Sequence, residues 1–241
     1  MSAAAHWVCP ACGAVDGAPG ACARDGAARR DAEGDPLLGT ALAGYRLTRR
    51  IGRGGMGTVY RAVEPAIDAE VAIKVLGAEL AGEPEAAERL IAEARTANRV
   101  RHDGLVKVLA LGLVPDGRPY LVMEHLTGAS LAEVIARRGP LPIGTTCARL
   151  AEVAGALAHC HAHGVVHRDV KPANLFVTTA GPIKVLDFGV ARRDDGARLT
   201  RTGHAIGTPG YMAPEQAAGE PVDGRADVYA LGAVLYECLA G

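Results

Sequence analysis

Five strongly polar side chains fall within eight positions of the stretch VVHRDVKPANLF, residues 165–176: His167, Arg168, Asp169, Lys171 and Asn174, with apolar pairs on both sides. A solvated loop could hold such a set to no purpose, so the rest of the chain has to decide. Further on, Asp187 follows the apolar run IKVL, and an aspartate beyond a buried strand can hold a hard cation through oxygen, with Asn174 as a second oxygen ligand. Gly52, Gly54 and Gly57 in IGRGGMGTVY form G-x-G-x-x-G, a pattern whose bare backbone N–H groups can approach phosphate closely. TVYRAV, which follows, is β-branched and strand-like, whereas a dinucleotide-binding version needs a helix there. Lys74 ends the apolar VAIK, where it is either a lysine snorkelling to water or a cation for the α- and β-phosphates. The second role needs an anchoring carboxylate, and Glu93 is the candidate over Glu88 because Ala94 and Ala97 stand beside it on an inward-turned face. Only four of the 26 basic residues are lysines, two of them Lys74 and Lys171, which points to places where a compact charge is needed.

A second constellation lies near the N-terminus. Cys9, Cys12 and Cys22 are followed by Asp25 where a fourth cysteine would complete C-x2-C…C-x2-C, so a zinc site of three thiolates with Asp25, or His6, competes with a plain tail carrying scattered thiols. His159, Cys160, His161 and His163 form another cluster, with His159 and His163 on one helical face, but they read as packing and solvated residues at a helix end rather than as a metal site.

These groups need elements to hold them. YRLTRRIG, TVYRAVE, AEVAIKVL, GLVKVLALGLV and RPYLVMEHL read as strands, and EPEAAERLIAEARTANRV as a helix with Leu90, Ile91 and Ala94 on one face. After Leu126 the chain turns helical, with Leu150, Val153, Ala154, Leu157 and Ala158 at i, i+3, i+4 spacing. Short strands around LFV and IKVL follow, then a long loop and an apolar helix from about Gly224. Sheet first and helices second predicts an α+β protein of two lobes. Residues 26–44, rich in Ala, Gly, Asp and Arg with little periodicity, read as a linker.

Composition sets bounds. The 241 residues are 49% hydrophobic and 22% charged, the balance of a folded chain, and the net charge of −1 gives no electrostatic case for nucleic acid or an anionic membrane. No leader and no run of about 18–20 apolar residues is evident, and six cysteines without a leader read as thiols or metal ligands, so the expected compartment is the cytoplasm.

Taken in order, G-x-G-x-x-G-x-V, V-A-I-K, H-R-D-x-x-x-x-N, D-F-G and A-P-E resemble the protein kinase family, from about Tyr45 onward, and most of all the bacterial eukaryotic-like Ser/Thr kinases. The resemblance implies a bilobal kinase fold, with an N-lobe over 45–123 and a C-lobe over 124–241; the zinc-ribbon-like segment at 1–25 is read from the cysteine spacing alone. The resemblance also implies ATP with Mg2+, or Mn2+ in its place, protein substrates phosphorylated on Ser/Thr, and self-association for autophosphorylation. Asp169 would be the base that accepts the substrate hydroxyl proton, and Lys171 would steady the transferring phosphoryl group. Asn174 and Asp187 would hold the metal ions, and Lys74 with Glu93 would serve the phosphates. The nucleotide would be lined by Ile51, Gly52, Arg53, Gly54, Gly55, Met56, Gly57, Thr58 and Val59, by Ala72, by Met123 as gatekeeper, and by the hinge from Glu124 to Leu126. His167 would stack under Phe188, Arg168 would bind phosphate on Thr200 or Thr202, and Thr208 would bond Asp169 and Lys171. The carboxylate of Asp227 would hold the catalytic-loop backbone. In relatives more helices follow, so the lobe is expected to end short, with Glu215 lacking an arginine partner and with Val228, Leu231, Val234, Leu235 and Leu239 uncovered. The alternative is a non-catalytic nucleotide-binding or scaffolding fragment, which the unsubstituted catalytic set argues against.

Overall fold

The structure, a computed structural model, describes residues 6–32, 34–54, 56–187 and 209–241. Phe188, Thr200, Thr202 and Thr208 lie outside the described residues, as does Gly55. Two compact units emerge, one from residues up to Ile91 with Val108–His125, the other from Ala92–Lys107 with Leu126–Gly241. The division expected at 123/124 is therefore crossed by a second exchange, at 92–107.

The first unit begins with β1 (Trp7–Val8), β2 (Val15–Asp16) and β3 (Arg30–Asp31), a small antiparallel sheet in the order β2-β1-β3. Then come β4 (Ala41–Leu42), β5 (Tyr45–Gly54), β6 (Gly57–Glu64), β7 (Ala69–Leu76), the first part of α1 (Pro84–Arg99), whose residues from Ala92 belong to the second unit, and β8 (Val108–Leu113) and β9 (Pro119–Glu124). The six long-sheet strands run β4-β5-β6-β7-β9-β8, all antiparallel. Period-2 alternation sorts their side chains onto two faces. Pairing of Val59 with Lys74, Arg61 with Ala72, Val63 with Glu70, and Ala72 with Met123 puts all of these on one face. Tyr60, Ala62, Val71, Ile73, Val75, Tyr120 and Val122 take the other face and form an apolar cluster with Leu42 and Leu47.

The expected linker at 26–44 needs correction. β3 and β4 are paired strands, Ala32 and Leu42 are buried, and Leu37 and Leu38 pack on the apolar cluster. The Tyr60 hydroxyl donates to Asp35 at 2.8 Å, and the burial behind that bond pushes the phenol well above its ordinary range. A mere handful of leucines, too few to show a period, covers the sheet, so the segment is a fitted layer of the first unit.

In the second unit, β10 (Gly128–Ser130) precedes α2 (Leu131–Arg138) and α3 (Ile143–Ala162); β11 (Leu175–Thr178) and β12 (Ile183–Val185) complete a β10-β11-β12 sheet. α4 (Pro214–Ala218) and α5 (Gly224–Ala240) follow. α2 starts with a capping box: Glu133 N–H donates to Ser130 Oγ at 3.2 Å, while Ser130 N–H donates to Glu133 Oε2 at 2.7 Å. α3 buries Leu150, Val153, Ala156, Leu157 and Cys160, and α5 turns Ala226, Ala230, Val234 and Cys238 inward. The apolar surface expected on α5 is thus partly wrong, because Val234 is fully buried. Val228 (66% exposed) and Leu239 face outward as expected, Leu231 and Leu235 are half-buried, and Tyr229 and Tyr236 (76%) are exposed beside them.

Candidate functional site

The polar loop at 165–176 is fixed from beneath by one buried carboxylate. Asp227, 1% exposed in the first turn of α5, accepts from His167 N–H at 2.9 Å and Arg168 N–H at 2.8 Å, and it lies 2.7 Å from His161 Nε2. His161 reaches it from α3 because residue 224 is glycine: a Cβ there would stand 2.6 Å from the imidazole. His167 is fully buried with Nε2 2.9 Å from the Leu186 carbonyl, so its ring ties the loop to the segment leading to Asp187. Arg168 adopts φ +65°, a left-handed conformation costly for its type, and its carbonyl accepts from Gln216 Nε2 at 2.8 Å.

This scaffold assembles three of the chemically expected groups. Lys171 Nζ donates to Asp169 Oδ2 at 2.8 Å. Asn174, itself buried, donates through Nδ2 to the same oxygen at 2.9 Å and to the Asp169 carbonyl at 2.8 Å. With its amide nitrogen so used, Asn174 keeps Oδ1 as its acceptor atom, the chemistry a hard cation requires. Both of these side-chain bonds fall on Asp169 Oδ2 and neither on Oδ1. Leu186 N–H donates to the Asn174 carbonyl at 2.8 Å, which binds the Asp187 strand end to the loop, and Asp187 itself sits at φ +44°. One compact set of oxygens and one ammonium can thus accept a proton, balance an anion and bind a divalent cation.

In the first unit, Gly52, Arg53 and Gly54 pair with Val59, Thr58 and Gly57 across a tight hairpin, with Ile51 and Met56 beside it. Gly57, at φ +155°, is required: a Cβ would lie 2.0 Å from the Val75 carbonyl oxygen. Val59, Ala72, Lys74 and Met123 share the sheet face described above, and Lys74 is 6% exposed. Glu124 ends β9 and Leu126 follows two residues on, half-buried. Glu93, on the part of α1 that belongs to the second unit, is 6% exposed, while its competitor Glu88 is exposed.

Cys9, Cys12, Cys22 and Asp25 place one ligand atom each within 4.8 Å of all the others. Cys9 Sγ lies 3.3 Å from Asp25 Oδ2, and the Cys12 and Cys22 sulfurs are 3.7 Å apart. Two matching turns present them. Cys9 N–H bonds Ala14 O and Gly13 N–H bonds Cys9 O, both at 2.9 Å; Cys22 N–H bonds Ala27 O and Gly26 N–H bonds Cys22 O, both at 2.8 Å. Gly13 and Gly26 close these turns at φ +71° and +73°. Thiol donation from Cys12, with the Ala27 N–H, brings the Asp25 carboxyl down to about 2. Backbone N–H groups of Arg24 and Asp25 lower the Cys22 thiol, whereas burial and Asp25 push Cys12 up to about 12. His6 is not in the cluster; its Nε2 lies 3.3 Å from the Leu38 carbonyl.

Sequence reasoning missed His161 and Gln216. The first was set among solvated helix-end histidines, and Gly224, which makes room for it, was the one available sign; nothing local marked the second. His159 and His163 stack their rings 4.5 Å apart, and His163 Nδ1 lies 2.8 Å from the His159 carbonyl, as expected of packing residues.

The protein kinase domain family matches residues 45–241. The chain is 46% identical over 212 residues to the serine/threonine-protein kinase Pkn1 of Myxococcus xanthus, covering 86% of this chain and 30% of that protein. It is 44% identical over 211 residues to the serine/threonine-protein kinase PknA of Mycobacterium tuberculosis, covering 86% of this chain and 49% of that one. The chain therefore spans at most about half the length of these relatives. Among solved structures, the Mycobacterium tuberculosis PknI kinase domain superposes with a TM-score of 0.67 at 33% identity, over 83% of this chain and 74% of that one.

Proposed function

Since this chain belongs to the protein kinase family, we propose that it transfers the γ-phosphoryl group of ATP to serine and threonine hydroxyls of protein substrates. The observation that carries this reading is the Asp169–Lys171–Asn174 cluster held on the buried Asp227 carboxylate. Phosphoryl transfer depends mostly on positioning and charge stabilisation, and both are present in that loop. Asp169 takes the proton of the attacking hydroxyl. Lys171, already on Asp169, faces the charge of the transferring group, and Lys74 serves the α- and β-phosphates with Glu93 as its carboxylate partner. The hairpin from Ile51 to Val59 covers the phosphates, and Ala72, Met123 and the Glu124–Leu126 hinge receive the adenine. The oxygens of Asn174 and Asp187 suit Mg2+, which when bound neutralises phosphate charge. Phosphorylation of Thr200 or Thr202, in trans between copies of the chain, pairs with Arg168. Radiolabelled ATP with the purified protein, beside Asp169→Asn, tests the reading. Label transfer lost in the variant is expected, and equal labelling by both proteins refutes it.

The cysteine cluster supports a structural zinc ion held by Cys9, Cys12, Cys22 and Asp25. Zinc bonds of about 2.3 Å to sulfur and about 2.0 Å to oxygen give a tetrahedron whose S···S edge is about 3.8 Å and S···O edge about 3.5 Å. The corresponding separations here are 3.7 and 3.3 Å. The purified protein should carry one zinc, lost in a Cys9→Ala, Cys12→Ala variant. Among the described residues no helix is long and apolar enough to cross a membrane.

A further inference from the structure

Pro10 and Ala11, the two residues between the first pair of cysteines, have a use of their own. Their carbonyls face Arg61 on β6, whose Nη1 donates to Pro10 O at 2.8 Å and also reaches Ala11 O and the Thr48 hydroxyl. The other branch of the same guanidinium, Nη2, donates to Glu70 Oε1 on β7. The second oxygen of Glu70 lies 2.9 Å from His125 Nδ1. His125 stands between Glu124 and Leu126, in the segment assigned above to adenine. A single row of polar contacts thus runs from the cysteine turn to the hinge, inside one compact unit.

The strand register explains why the row exists. Val63 faces Glu70 and Arg61 faces Ala72, so Arg61 and Glu70 are diagonal neighbours on one face, within reach of long side chains. Val71 pairs with Glu124, which sets His125 across from Glu70. That face also carries Ala72, Lys74 and Met123, the nucleotide residues. Arg61 is a planar fork with both branches occupied, so its position is shared between the cysteine turn and the carboxylate. Exposed ion pairs alone transmit little, but the Arg61 and His125 side chains are 15% and 14% exposed, and only Glu70 is open to water.

We propose that Arg61, Glu70 and His125 are positioning residues that make the nucleotide hinge answer to the metal state of the Cys9–Asp25 cluster. The inference rests on the zinc reading above. A bound metal clamps both ends of the Pro10-Ala11 dipeptide through Cys9 and Cys12. Its carbonyls then stay aimed at Arg61, Arg61 holds Glu70, and Glu70 fixes the His125 ring and the backbone on either side of it. Loss of the metal frees the dipeptide and slackens the hinge, so nucleotide affinity falls while Asp169 and its neighbours are untouched.

The test measures zinc content and the Kd of MgATP, by calorimetry on the whole protein, before and after stripping with a chelator. One zinc per chain is expected. Stripping should weaken MgATP about fivefold, the lower end of ordinary site-to-site coupling, and zinc should restore it where magnesium does not. In Glu70→Gln the zinc-loaded protein should already bind at the weaker level, and stripping should then change its Kd by less than about twofold. Arg61→Lys, which keeps charge but loses the fork, should behave as Glu70→Gln does and serves if that variant misfolds. An unchanged Kd in wild-type protein that has demonstrably lost its zinc overturns the inference and leaves the zinc site standing. Independent, multiplying effects of stripping and Glu70→Gln overturn it too, as does loss of the cooperative melt on stripping, which would make the metal purely structural. A protein that never carries zinc refutes the zinc reading itself, and the metal control falls with it.

Discussion

Replacing Asp227 with asparagine changes one atom and little volume, yet it should weaken the whole second unit. The carboxylate is 1% exposed and accepts from two backbone N–H groups, with the His161 ring on the same oxygen as His167 N–H. Asparagine keeps a single acceptor. Placed at Oδ2 it retains His167 and His161, but its NH2 then confronts the Arg168 N–H. The loss is one charge-assisted hydrogen bond, about 1.5–3 kcal/mol, partly overlapping the cost of a buried N–H left without acceptor, about 1–3 kcal/mol. A total of about 3 kcal/mol follows, equivalent to a fall in Tm of about 6–12 °C for a chain of this size. The strain at Arg168, φ +65°, is held by this same contact and by Gln216, so the loop should also lose definition at Asp169 and transfer rate should fall with stability. Differential scanning calorimetry and phosphoryl-transfer assays on wild type and Asp227→Asn measure both. A variant melting within 2 °C of wild type would show that the buried carboxylate does not carry the loop.

Four further outcomes are expected. Lys74→Met should cut phosphoryl transfer about 10^2–10^3-fold by removing a cation aimed at developing charge, with a cooperative melt retained; undiminished labelling would count against the role of Lys74. Gly57→Ala should cost about 3 kcal/mol, since the new Cβ would meet the Val75 carbonyl 2.0 Å away at φ +155°; thermal melting reads it, and an unshifted Tm refutes the close approach. Ser130→Ala should cost about 1 kcal/mol by opening the capping box of α2. Donation from Ser130 holds the Glu133 carboxyl below its ordinary 4.5. A depressed carboxyl contributes stability above its unfolded value and loses it as pH falls through the folded one. The stability difference between wild type and Glu133→Gln should therefore be present at pH 7 and shrink below pH 4.5, and urea melts across that range would expose a flat profile.

The parts of the site that were legible in the sequence are those written by short spacing. Asp169, Lys171 and Asn174 share a six-residue stretch, so their meeting around one carboxylate needed no knowledge of register. Lys74 was marked by the rarity of lysine and Glu93 by its apolar neighbours, and both side chains are buried. His161, Gln216 and the Arg61–Glu70–His125 row were not legible, because each joins residues from separate elements and depends on strand pairing or helix docking. Residues 26–44 misled for a related reason. Leu37, Leu38 and Leu42 show no period of their own, and only the sheet they cover gives them meaning. On α5, taking Val234 for an outward residue was an error of helical phase: Ala226, Ala230, Val234 and Cys238 form the inward row at intervals of four.

The layer over the outer sheet face also separates two kinds of boundary. The kinase family match begins at residue 45, but the first unit as a physical object takes in Asp35, Leu37, Leu38 and Leu42, which sit on the cluster around Leu47 and Tyr60. A version of the protein cut at the family boundary would keep every residue assigned to catalysis. It would also bare the Tyr60 face of the long sheet, leave the Tyr60 hydroxyl without Asp35, and remove the carbonyls that Arg61 grips. The family match and the packed unit have different edges here, and the second is the one to respect when the chain is shortened, fused or compared with its relatives.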